Sequence, residues 1–181
     1  MQKFTQTVAT IIGVCFSYYL LFQLNNALFA FTEFKDGINL IYLPAGLHLL
    51  HVLVFGRNGA IGIGLASAIL DYGMHDENAL LFGAMNGLIT GSAAYFTREV
   101  CIHRFGMSPN LSGLTAASLL KVSLVFAILS PVAHQLWRSF YDPEANFIVD
   151  TPMMILGDLA GILLLLFAAR LLIYWVETRL L

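Results

Sequence analysis

Charge is what this chain has least of: 11% of its 181 residues are Asp, Glu, Lys or Arg, against about 25% in soluble globular domains. So few charges cannot cover a water-exposed surface. The 59% of hydrophobic residues and the mean hydropathy of +0.79 instead make a bilayer the expected solvent. Cysteine is nearly missing too, and the pair that exists, Cys15 and Cys101, falls in different segments and predicts neither a disulfide framework nor a metal knuckle. Linkers and low-complexity tracts are lacking. The apolar runs are continuous rather than alternating, which argues against a β-barrel.

What the sequence does have is a succession of apolar stretches. About 20 residues cross roughly 30 Å of hydrocarbon in helical form, and six stretches approach or exceed this, near 6–31, 39–55, 59–74, 79–98, 113–136 and 148–173. The expected fold is all-α: one polytopic bundle of about six transmembrane helices filling residues 1–181. The first run follows Lys3 but exceeds the 7–15 residues of a secretory h-region, so it is read as a retained helix. The connections are TEFKDG, GRN, MHDEN, REVCIHRFGMSPN and WRSFYDPEAN.

Placing both termini in the cytoplasm sorts the basic residues. Lys3, Arg57, Arg98, Arg104, Arg170 and Arg179 then lie inside, Lys35 and Arg138 outside, and Lys121 within a span. Most acids take the outer side: Glu33, Asp36, Asp71, Asp76, Glu77, Asp142, Glu144 and Asp150. Solvated loops ordinarily carry such charges, and an outer face this acidic would also attract cations.

Inside the spans, polar residues stand out. Asp158, in ILGDLAGILLLLF, falls near the bilayer midplane, where a lone carboxylate costs about 2.5–3.5 kcal/mol and should face the interior with a partner. Lys121, one turn after Ser118, lies at a comparable depth in the fifth span, so an Asp158–Lys121 pair holding helices five and six in register is expected. In the second span His48 and His51, spaced by three, share a face with Pro44. They are either hydrogen-bonded structural histidines or a pair responsive to a proton or ligand. No further ligands complete a metal site, and His75 and His134 are expected at or near the outer surface. Asn86 and Thr90 share a stripe of the fourth span and suit interhelical hydrogen bonding or ligand contact. Pro44 and Pro131 are expected to kink their spans and shape a pocket open outward. Small residues recur at packing spacing: Gly83, Gly87 and Gly91; Gly157 and Gly161 around Asp158; Ala9 and Gly13 in the first span. Contact within the bundle or docking to another protein would both use them.

The stretch YLPAGLHLLHVLVFGRNGAIGIGLASAIL, with Tyr42 standing before Leu43, Pro44, Ala45 and Gly46, and the later GDLAGILLLLFAARLLI, with Gly157, Asp158 and Gly161, resemble the MASE1 family of bacterial integral-membrane sensory domains. ENALLFGAMNGLITGSAAYF is similar to that family's central Asn- and Gly-containing helix, and the likeness covers residues 39 to about 173. It implies a sensory, ligand-responsive module of the bacterial inner membrane, with its output on a separate signalling partner such as a histidine kinase or diguanylate cyclase. The small six-helix form is also similar to the substrate-binding components of energy-coupling-factor vitamin transporters, which dock on ATPase subunits through small residues of the first helix; Ala9 and Gly13 would then serve. Asp158, Lys121, His48, His51 and Asn86 are the candidate ligand or switch residues. Contact with the lipid bilayer is expected, and no catalytic spacing, cofactor, metal or nucleic-acid partner is. The oligomeric state is left open.

Overall fold

The computed structural model describes residues 2–35, 37–74 and 78–180. Asp36, His75, Asp76 and Glu77 lie outside these residues, and so does the side chain of Arg179. Six helices account for nearly everything described: α1 (Gln2–Phe29), α2 (Leu43–Phe55), α3 (Arg57–Met74), α4 (Ala79–Phe105), α5 (Ala116–Arg138) and α6 (Phe147–Leu180). Each corresponds to one of the six apolar stretches. A 3₁₀ turn at Ala30–Thr32 leads from α1 into a two-stranded antiparallel hairpin, β1 (Glu33–Lys35) and β2 (Ile38–Asn39), which pairs Glu33 with Asn39. The hairpin takes the place of the simple TEFKDG connection expected there. Its turn rests on Gly37 at φ +76°, a left-handed conformation that glycine adopts without steric cost.

Four helical segments are long and apolar enough to cross a membrane: Gln2–Thr32, Ala79–Phe105, Ala116–Arg138 and Phe147–Val176. Large apolar side chains such as Ile12, Phe16, Leu88, Phe96, Leu163 and Phe167 cover their outer surfaces, as a protein in lipid requires. Helices α2 and α3 do not meet that standard by themselves. With 13 residues, α2 is roughly 20 Å long, and it is wrapped by protein, touching α1, α3, α4, α5 and α6. Leu49 and Val52 at its centre join Val14, Ile63, Ala94, Phe126 and Ile162 in the core.

The boundaries shift for physical reasons. Pro44 does not kink a span; it occupies the first turn of α2, where its missing N–H costs nothing. The Leu43 amide donates to Asn25 Oδ1 on α1 (2.9 Å), and the Tyr42 amide to the Gly157 carbonyl on α6 (3.1 Å), so the start of α2 is fastened to both neighbours. Helix α4 continues through REVCIHRF instead of ending near residue 98, because Arg, Glu and His do not stop a helix. Gly106 does, at φ +66°. Helix α5 begins at Ala116 behind Thr115, whose hydroxyl accepts from the Ser118 amide (3.1 Å).

Glycine sets the closest helix approaches. Gly83, Gly87 and Gly91 of α4 lie against backbone atoms of Ala68, Gly64 and Ala60 on α3, so these repeats serve contact within the bundle. Gly157 and Gly161 of α6 press on the carbonyls of Asn39 and Tyr42. Gly13 differs: a Cβ there would meet no atom among the described residues within 4 Å.

Candidate functional site

All six helices surround one cavity of about 770 Å³. It reaches the end of the bundle formed by the α1–α2 and α5–α6 connections, where Glu33, Gly37, Tyr141 and Asp142 line it. On every helix the lining residue furthest from that end is polar: Tyr18, His48, Ser67, Thr90, Ser130 and Asp158. Hydropathy along a chain cannot reveal such a floor, since each helix supplies only one of its members.

Asp158 is 2% exposed. It lies 11 residues beyond the start of α6, roughly 16 Å along the helix axis. No hydrogen bond or ion pair to its carboxylate is found among the described residues. The expected pair with Lys121 does not form: Lys121 is exposed, in the second turn of α5, while Val122, Ser123, Phe126 and Ala127 take the inner face. Ser130, which shares the cavity with Asp158, stands nine residues further along α5, roughly 13 Å away along the axis. Helix α5 starts at Ala116 rather than near 113, which leaves Lys121 closer to the helix end than the expected pairing requires. Ser118 is engaged with Thr115 rather than with Asp158. Lys121→Leu is therefore expected to change stability by no more than about 0.5 kcal/mol, and its effect to be additive with that of Asp158→Asn, as measured by thermal unfolding of the four variants in detergent.

The two histidines of α2 part company. His48 is 4% exposed, packs in a tilted arrangement against Tyr18 with ring centroids 4.7 Å apart, and meets Phe126 edge-on at 6.1 Å. Its Nε2 has no hydrogen-bond partner among the described residues. The ring of His51 turns instead toward α1, where Nε2 lies 3.1 Å from Ser17 Oγ in a separate groove lined by Ala9, Gly13 and Phe55. No cluster of three or more His, Cys, Asp or Glu able to hold a metal occurs among the described residues.

Asn86 lines the cavity. Thr90, one turn on, bonds its own helix at the Asn86 carbonyl and approaches Ser67 Oγ (3.1 Å) and His134 Nε2 (3.3 Å). His134, expected at the outer surface, thus belongs to the cavity wall, carried inward by α5. The Tyr18 and Tyr42 hydroxyls lie 3.1 Å apart. In the YLPAG stretch, Tyr42 lines the cavity, whereas Pro44, Ala45 and Gly46 are buried in α2.

Sequence reasoning missed Gln135, which is 2% exposed, donates through Nε2 to the Met154 sulfur (3.5 Å), and leaves Oε1 without a partner among the described residues. It also counted Asp71 and Asp150, at the outer ends of the third and sixth spans, only among the acids of the outer face. Asp71 belongs to α3, where it lines the cavity and accepts from Ser67 (3.2 Å). Asp150 is buried, accepts from the Asn146 amide (3.0 Å) and pairs with Lys35 Nζ (3.2 Å), while Lys35 also donates to the Glu144 carbonyl. This fastens the hairpin over the mouth to the start of α6. Beside it Arg138 Nε meets Asp142 Oδ2 at 2.7 Å, and the guanidinium holds the Asp142 carboxyl below the usual carboxylate range. An i, i+3 or i, i+4 regularity linking residues 67 and 71, or 86 and 90, was the available signal. The inward rotation of α3 and α5 was not.

Comparison of the chain with protein-family models, with curated proteins and with solved structures gives no match.

Proposed function

We propose that this protein is a multi-pass, ligand-responsive sensory module of the MASE1-like kind in the bacterial cytoplasmic membrane, passing the occupancy of its cavity to a separate partner protein. One observation carries the reading: a cavity large enough for an organic molecule, with a polar floor to which each helix contributes one residue. A ligand resting there would bear on all six helices at once, as a conformational relay needs. The size falls within the roughly 300–1,000 Å³ of ordinary small-molecule sites.

In this reading both termini are cytoplasmic and the mouth opens outward. Helices α2 and α3 complete six crossings, with the non-helical backbone at 39–42 tolerated at depth because Asn25 and Gly157 satisfy the amides of Leu43 and Tyr42. Lys35 and Arg138, the two outer cations, are both engaged with acids and so weigh little against the cytoplasmic surplus.

A second reading, a solute-binding subunit resembling those of energy-coupling-factor transporters, is favoured by α1. Ala9 and Gly13 are exposed along an open groove rather than used in the bundle, and small residues allow another helix to approach closely. Purification from native membranes in mild detergent, followed by mass spectrometry of what stays bound, tests both. A kinase or cyclase supports the sensory reading, ATPase subunits with a vitamin-sized molecule the transport one, and recovery of neither partner nor ligand counts against both. Gly13→Leu is expected to leave folding unchanged and to abolish partner recovery if α1 is the docking helix.

A further inference from the structure

The chemistry of the cavity wall narrows what it would accept, on the premise that it is a ligand site. We propose that it binds a small organic cation bearing N–H groups, a protonated amine or amidine, whose charge rests against Asp158. Four carboxylates line the cavity, Glu33, Asp71, Asp142 and Asp158, against a single Arg, Arg138, which already meets Asp142. An anion brought to the floor would face Asp158 with no Lys or Arg beside it among the described residues. That arrangement is costly where the dielectric is low. A cation there forms a neutral pair with the carboxylate.

Hydrogen-bonding capacity points the same way. Gln135 Oε1, buried without a partner among the described residues, is an acceptor, as is the Asp158 carboxylate, to which no hydrogen bond is found among them, and each residue is 2% exposed; His48 Nε2, likewise buried without a partner, donates or accepts according to its tautomer. Buried acceptors call for donors, so the ligand must supply hydrogens. A quaternary ammonium supplies none, whereas a primary ammonium offers three. The rings of Tyr18, Phe22, Tyr42 and His48 line the same space, giving aromatic faces for the cation and for an apolar body behind it. A bare metal ion fits poorly, because the volume is many times too large and no three-residue ligand cluster exists among the described residues.

The test uses the full chain in detergent micelles and two probe series with a common skeleton: phenethylamine, 2-phenylethanol and 3-phenylpropanoate, then tryptamine, tryptophol and indole-3-propanoate. Affinities come from isothermal calorimetry and are cross-checked by the shift in unfolding midpoint. The amines should bind at least ten-fold more tightly than their alcohols, and the carboxylates least. Asp158→Asn should remove that amine preference by weakening the amines at least ten-fold more than the alcohols, Asp158→Glu should restore part of it, and Lys121→Leu should leave it intact. Equal affinity for amine and alcohol, preference for the carboxylates, undiminished amine binding in Asp158→Asn, or failure of both amines to bind each overturns the proposal. Asn86→Trp, which places bulk in the cavity, separates this from failure of the wider reading. Loss of alcohol or carboxylate binding in that variant keeps the cavity as a ligand site of another charge class, while binding indifferent to Asn86→Trp removes the site itself.

Discussion

Gly161→Ala is expected to be the most damaging single methyl that can be added to this protein. The new Cβ would land on the Tyr42 carbonyl oxygen, well inside van der Waals contact, and 2.8 Å from the Leu43 amide nitrogen. Neither atom has freedom to retreat, since the Tyr42 amide donates to Gly157 and the Leu43 amide to Asn25. Overpacking a core ordinarily costs about 1–3 kcal/mol; with fixed backbone on both sides the loss should be about 3 kcal/mol or more. Helix α6 would separate from the start of α2, and Asp158, one turn before Gly161, would be carried away from the cavity floor. The check is the fraction of protein that stays monodisperse after graded heating in detergent. Gly13→Ala, where the added methyl meets no described atom within 4 Å, serves as the control. Equal survival of the two variants would show that α6 does not seat on residues 39–43 as described.

Gly87→Val should follow closely. A Cβ on Gly87 meets the Gly64 carbonyl oxygen and lies 2.8 Å from the Ala68 Cβ, while a Cβ on Gly64 would lie 2.8 Å from the Gly87 carbonyl oxygen. The contact is reciprocal, so neither helix can accommodate a branched side chain without stepping back. We expect a destabilisation of about 2–3 kcal/mol, with Gly87→Ala intermediate. The consequence reaches the cavity, because Asn86 and Thr90 flank this contact and the 3.1 Å approach of Thr90 to Ser67 bridges the same two helices. Gly87→Val should therefore weaken any ligand recovered from the wild-type protein along with stability. A variant that unfolds early yet keeps full affinity would separate the α3–α4 seam from the site.

Both effects arise where backbones touch, and that distinguishes what the sequence made legible from what it did not. Segments 6–31, 79–98, 113–136 and 148–173 read as membrane-length helices because the energetic demand is local: a run of apolar residues in hydrocarbon must satisfy its own backbone. The same logic singled out Asp158, whose cost as a lone carboxylate in hydrocarbon is evident from its apolar flanks alone, and Asn86 beside the glycines. Termination was less legible. Helix α4 runs to Gly106 because a backbone conformation ends it, while Arg98 and Glu99, read as the start of a loop, are half-buried helical residues that pair with each other, Arg98 also donating to the Pro109 carbonyl.

Rotation about each helix axis was not legible, for a reason specific to this solvent. In water the apolar face of a helix marks its inner side. In lipid both sides are apolar, so nothing in the strings around Lys121, His134 or Asp71 says which way they turn. Packing decides it: Val122, Ser123 and Phe126 claim the inner face of α5, leaving Lys121 outside and carrying His134 inward. The sequence by itself determined that this is a helical protein suited to a membrane, with polar groups committed to its interior. The tertiary structure alone decided that Asp158 has no lysine beside it among the described residues and that one polar residue from each helix meets at the floor of one cavity. Those outcomes depend on contacts among segments far apart along the chain, which no local pattern of residues encodes.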